Sequence, residues 1–138
     1  PVMRPEALLL ICFFLVAAQL QAREADPQLS LSLTDADSGE AIEGMQVVLF
    51  HFSETRSTWR LVDSQVSNQQ GEIEGFLAGD DHQGVYRLVL RNQKFFQQRN
   101  QKARYPLIPV VISIDSSEPV SLSVSISETT YSVSQTEP

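Results

Sequence analysis

From Leu29 onward, apolar and polar residues alternate. Leu29, Leu31 and Leu33 interleave with Ser30, Ser32 and Thr34, which predicts a strand with one apolar face and one face of small hydroxyls. Asp35 to Gly39 supplies turn residues. Val47–Phe52 reads as a second strand, rich in β-branched and aromatic residues. Trp59–Ser67 alternates again, and Asn68–Gly71 is a turn. Short strands follow at Glu72–Leu77 and Val85–Leu90, separated by the polar loop Ala78–Gly84. Asn92–Arg104 is polar and accommodates a short helix followed by a loop. Leu107–Ile114 is a strand in which Pro109 implies an edge or a bulge, because proline cannot donate to a ladder. After a turn at Asp115–Pro119, Val120–Ser127 alternates almost without a break. Glu128–Pro138 reads as a polar tail apart from Tyr131 and Val133. Seven or eight short strands at regular spacing, with one helix, predict a single all-β sandwich.

The amino-terminal segment departs from this pattern. Ala7–Ala18 is an unbroken apolar run behind Arg4. It falls short of the roughly 20 residues of a membrane span and has the length of a secretory signal core. The small residues Ala18 and Ala22 precede the charges of Arg23, Glu24 and Asp26. A signal peptide over residues 1–22 is expected, with Pro1 and Val2 ahead of a start at Met3. Cleavage is expected after Ala22, with Ala18 as second choice; left uncleaved, the segment would be the chain's one membrane attachment. Residues 23–28 form a polar lead-in and 29–136 the sandwich domain. The expected location is secreted or periplasmic. Cys12 is the only cysteine, so neither a disulfide framework nor a cysteine-based zinc site is available.

The 138 residues suit one domain, and 42% hydrophobic with 20% charged residues is ordinary globular composition. Collagen-like, low-complexity and wholly disordered readings are excluded. Ten Lys+Arg against seventeen Asp+Glu leave a net charge of −7, which argues against a nucleic-acid partner. The basic residues are unevenly placed: Arg91, Lys94, Arg99, Lys102 and Arg104 crowd one stretch, with Phe95, Phe96 and Tyr105 among them. This stretch reads as a solvated helix face whose aromatics pack on the sandwich, or as a docking surface for an acidic protein partner. For docking, the candidates are Arg99, Lys102 and Arg104.

Candidate chemistry is sparse. Asp35, Asp37 and Gly39 resemble a fragment of a calcium loop without its later acidic ligand, so they read as an Asx-type turn. His51 lies between Phe50 and Phe52 and is expected on the exposed face of its strand; His82 lies in a loop with Asp80 and Asp81. No metal site and no cofactor are expected. There is no GxSxG elbow and no glycine-rich phosphate loop. Glu72 and Glu74 share a strand face, a weak signal for acid–base catalysis. Ser121, Ser123 and Ser125 share the face opposite Leu122, Val124 and Ile126, repeating the hydroxyl pattern of the first strand. Such stripes face solvent, or wall a polar groove where two subunits meet.

An ordered set of spaced residues adds a resemblance. A Leu-rich strand ends in a turn at Gly39; Val47–Phe50 and then Trp59 follow. Next come Gln70-Gly71-Glu72, the Gly84-x-Tyr86-x-Leu88 strand, the pair Phe95-Phe96, Tyr105-Pro106 and finally Tyr131-Ser132. In this order they resemble the transthyretin and 5-hydroxyisourate hydrolase family over nearly all of the chain beyond residue 28. The resemblance implies a transthyretin-like (prealbumin-like) sandwich of seven to eight strands with one short helix. It also implies a homo-oligomer, dimer or tetramer, with binding sites in a central channel. In the hydrolases those sites use a histidine on the first strand, an arginine after the glycine turn, a histidine on the penultimate strand and a terminal Tyr-Arg-Gly-Ser. The matching positions here are Ser32, Glu72, Ser121 and Ser134-Gln135-Thr136-Glu137. Each departs from the hydrolase pattern. Imidazole activates water near neutral pH and arginine stabilises an oxyanion; serine without a partner does neither, and glutamate repels the oxyanion. The first-strand lysine of the transthyretins is also replaced by Ser32, and their apolar channel lining by Ser123 and Ser125.

The expectation is therefore an exported, non-catalytic member acting as a ligand-binding or complex-assembly module. Ser32, Glu72, Ser121, Ser123 and Ser125 are its ligand-binding candidates. The alternative is a 5-hydroxyisourate hydrolase of urate degradation with a relocated catalytic set. A third reading is a structural subunit that adds its sheet to a larger exported complex.

Overall fold

The computed structural model describes residues 27–78 and 82–136. The expected signal peptide, Cys12, and Asp80 and Asp81 beside His82 lie outside the described residues. Eight strands and one helix follow in order: β1 (Pro27–Asp35), β2 (Gln46–Ser53), β3 (Thr58–Val66), β4 (Glu72–Ala78), β5 (Gly84–Leu90), α1 (Asn92–Gln97), β6 (Ile108–Ile114), β7 (Val120–Ile126) and β8 (Tyr131–Thr136). They build two four-stranded sheets, β4-β1-β7-β8 (sheet A) and β3-β2-β5-β6 (sheet B). Every pairing is antiparallel except β1 with β7, which is parallel.

Alternation decides what each strand buries. Leu29, Leu31 and Leu33 of β1 and Leu122, Val124 and Ile126 of β7 point inward from sheet A. Val47 and Leu49 of β2, and Leu88 and Leu90 of β5, meet them from sheet B. Removing these side chains from water is the main favourable term in the fold. The sandwich core also takes in Phe95 and Phe96 of α1, whose rings meet edge to face at 5.2 Å. Buried Asn92 ties α1 to the following segment through an Nδ2 donation to the Tyr105 carbonyl at 3.0 Å. Ser67 closes the end of β3: its hydroxyl donates to the Ile42 carbonyl at 2.6 Å and accepts from the Met45 amide at 3.0 Å.

Pro109 lies on an edge strand, β6, as its missing donor requires. The Asp35 carboxylate accepts from the amides of Asp37 and Ser38, which makes this segment an Asx turn. Two expectations are corrected. The supposed tail is in fact β8, paired with β7 from Ser121↔Thr136 to Ile126↔Tyr131. It lies at the margin of the core, so its composition is polar and its inward-parity residues Tyr131 and Val133 stay partly exposed, with Tyr131 meeting the Tyr105 ring at 5.1 Å. His51 lies on the opposite face from the one expected. It has the parity of the buried Val47 and Leu49, and its ring packs on buried Tyr86 at 4.8 Å. Phe50 and Phe52 take the outward face instead, beside Arg87 and Trp59.

Candidate functional site

The outward face of sheet A brings all five ligand-binding candidates together. The β1–β7 register sets Ser30 beside Ser121, Ser32 beside Ser123 and Thr34 beside Ser125. The β7–β8 register continues each row to Thr136, Ser134 and Ser132. The face thus carries rows of hydroxyls, three deep at Ser32, Ser123 and Ser134 and at Thr34, Ser125 and Ser132. Neighbours stand about 4.8 Å apart across strands, and rows about 6.6 Å apart along them. In the first row Ser30 and Ser121 hydrogen-bond each other at 3.0 Å. Hydroxyls both donate and accept, so this face offers either polarity to a ligand.

A carboxyl pair borders the middle row. Glu72 of β4 stands opposite Ser32. A bulge then sets Glu74 and Gly75 together against Ser30, since Leu31 faces Ile73 while Leu29 faces Phe76. Glu74 holds the Glu72 carboxyl above the usual carboxylate range, first by hydrogen-bonding it and then by like charge, with a smaller push from burial. A raised carboxyl favours the native state where it is protonated. That advantage is lost as pH rises from the unfolded value of about 4.3 through the higher native value. Glu72→Gln is therefore expected to raise the melting temperature at neutral pH. The gain should fade as pH drops below the ordinary carboxylate range, where the Glu72 carboxyl is protonated; melting curves across that window check it.

Six members of this face follow from strand alternation in sequence: Ser30, Ser32 and Thr34, and their partners Ser121, Ser123 and Ser125 on β7. The three on β8 went unread although Ser132, Ser134 and Thr136 alternate with Tyr131, Val133 and Gln135. Six residues of alternation next to a chain end signal a strand weakly.

The basic stretch behaves differently. Arg99 is used internally: its guanidinium covers the Phe95 ring at 3.6 Å and donates to the Phe95 carbonyl at 3.2 Å and the Glu43 carbonyl at 3.4 Å. Arg104 lies over Tyr105, while Lys102 is exposed. The structure does not gather Arg99, Lys102 and Arg104 into one surface with the serines, which all lie on sheet A. A separate cleft of about 800 Å³ opens at the β2–β3 hairpin end of sheet B, lined by His51, Trp59, Arg60 and Asp115 among others. Burial there pushes the Tyr86 hydroxyl above its ordinary range, opposed by the charge of Arg60. Among the described residues, no group of three or more His, Cys, Asp or Glu is placed to hold a metal ion.

This sandwich, with its parallel central pair in sheet A and one helix after β5, has known counterparts. The sequence profile of the HIUase/Transthyretin family matches residues 29–135. The chain belongs to that family. Its fold is the transthyretin-like sandwich of eight strands with one short helix. A 5-hydroxyisourate hydrolase from Klebsiella pneumoniae superposes with a TM-score of 0.70 at 21% identity, covering 80% of this chain and 94% of that one. Sea bream transthyretin, solved with thyroxine, gives 0.73 at 16% identity over 79% and 94% of the two chains. A second structure of transthyretin from Sparus aurata gives 0.73 at 16% identity over 79% and 96%. Among curated proteins no relative matches in sequence. This family member thus shares its backbone plan with a 5-hydroxyisourate hydrolase and with a transthyretin solved with thyroxine, at identities that carry the fold alone.

Proposed function

We propose that this chain is an exported, non-catalytic member of the HIUase/Transthyretin family that binds a small, neutral, polar ligand on the outward face of sheet A. The observation that carries the reading is the face of hydroxyl rows shared by β1, β7 and β8 and bordered by Glu72. Its rows offer donors and acceptors but no imidazole, guanidinium or ammonium. Serine and threonine at their ordinary pKa bind polar groups without activating water. A ring with several amide or hydroxyl groups matches the spacing of the rows and meets no unpaired charge except the carboxyl pair. A cyclic amide related to the substrate named for the Klebsiella enzyme fits that description. Export rests on the apolar run Ala7–Ala18, and assembly into a homo-oligomer on the family likeness.

The test is saturation-transfer NMR with hydantoin, allantoin and uracil as probes. At least one should bind, and Ser123→Leu should abolish the signal with the melting temperature unchanged. Binding that survives Ser123→Leu, or no binding by any of the three, would overturn the reading. The raised carboxyl of Glu72 favours one second reading, a hydrolase in which this group is the base.

A further inference from the structure

The outward face of sheet B is the chemical opposite of the hydroxyl face. Alternation assigns to it the even-numbered residues of β2, the odd-numbered residues of β5 and β6, and Trp59, Leu61, Ser64 and Val66 of β3. The change of parity in β3 follows from a bulge at Val62, since Leu49 faces Asp63 while Phe50 faces Leu61. Most of these positions are apolar, and none is Asp or Glu. Leu61 is 61% exposed, Val111 60% and Val66 59%. A solvent-facing sheet normally alternates to polar residues on this side. Exposed apolar patches of this extent mark interaction sites.

One cation stands at the centre. The Arg87 guanidinium lies 4.6 Å from the Trp59 ring centre and 5.2 Å from that of Phe50. Its buried Nε has no hydrogen-bond partner. The aromatic rings fix the fork in place, which lowers the entropy lost when it meets an acidic group. Trp and Arg set in an apolar surround, with other charge depleted, are the composition of an interface centre. The surrounding sequence strengthens the contrast: from Gly84 to Ile114 there are six basic residues and no acidic one, in a chain of net charge −7.

We propose that the outward face of sheet B docks a partner protein through an apolar surface that carries a carboxylate over Arg87. Charge complementarity selects this occupant. A second copy applied face to face would oppose cation to cation at the centre, because the strand positions of the face hold no carboxylate and Asp115 lies at its margin, accepting from Ser113. A bilayer is disfavoured because anionic lipid recognition uses clusters of several Lys or Arg, whereas Arg87 is the one Lys or Arg at the strand positions of this face. The surface is distinct from the hydroxyl face, so the two readings fail or succeed separately.

The test selects a displayed library of random linear peptides against the full chain. Enriched peptides should combine Asp or Glu with aliphatic or aromatic residues. Their binding should change the emission of Trp59, the only tryptophan. Leu61→Asp and Val111→Asp should each weaken binding at least tenfold with the melting temperature unchanged, since both side chains are mostly exposed. Thr129→Asp, in the β7–β8 loop, should have no effect. Arg87→Glu should reverse the preference toward basic peptides. Several results would overturn the proposal. These are no enrichment, enrichment without acidic residues, or binding that persists in Val111→Asp. So would phosphatidylcholine–phosphatidylglycerol vesicle binding, or self-association in sedimentation, that Val111→Asp removes.

Discussion

Phe76→Ala is expected to destabilise the protein by about 3–5 kcal/mol, the largest loss of any single core truncation here. Phe76 is fully buried on β4, where it faces Leu29 across the ladder. The bulge at Glu74 and Gly75 restores its inward orientation after Ile73. Truncation removes the ring's transfer energy and leaves a cavity, because β4 is fastened on one side to β1 and cannot close it. With a total stability of order 5–15 kcal/mol for a domain, roughly a fifth or more of the fold's margin would go. The midpoint of urea unfolding should fall while the slope stays constant. A loss under about 1 kcal/mol would mean that the inner face of sheet A is not packed as described.

Gly71→Ala should cost about 2–4 kcal/mol, for a backbone reason. Gly71 has φ +75°, and a Cβ there would run into the carbonyl oxygen of Leu33. That carbonyl cannot retreat, since it accepts from the Ile42 amide at 3.0 Å. The Gly71 carbonyl in turn accepts from the Leu33 amide at 2.7 Å. Gly39→Ala is the control. Gly39 has φ +76° with open space around it, so it should lose only the conformational term of about 1–2 kcal/mol. The difference between the two variants isolates the clash. Because Gly71 precedes Glu72, the same substitution should also displace the carboxyl from Ser32.

Most of the sandwich was legible because period-two alternation states directly which side chains are buried. Leu29–Thr34 and Val120–Ser127 each carry that signal over six or more residues, and the family likeness ordered the strands. β8 was not legible, because its inward residues Tyr131 and Val133 are only partly covered and its polar composition imitates a tail. His51 was misplaced because its two phenylalanine neighbours suggested a buried face. Arg87 lies over one of them and Trp59 beside the other, an arrangement made by residues distant in sequence. The hydroxyl stripes were visible strand by strand. Their alignment into rows depends on the parallel β1–β7 register, which no local pattern encodes. For the same reason the largely apolar outward face of sheet B, with Arg87 at its centre, emerges only once its four strands are laid side by side.

The central claim is that a family backbone here carries a binding face in place of a catalytic one. The most direct measurement follows the ultraviolet decay of freshly generated 5-hydroxyisourate with the purified chain, with a family hydrolase as positive control. Decay no faster than the buffer blank is the predicted result. Clear acceleration, lost in Glu72→Gln, would contradict the claim and establish the Glu72 carboxyl as a catalytic base.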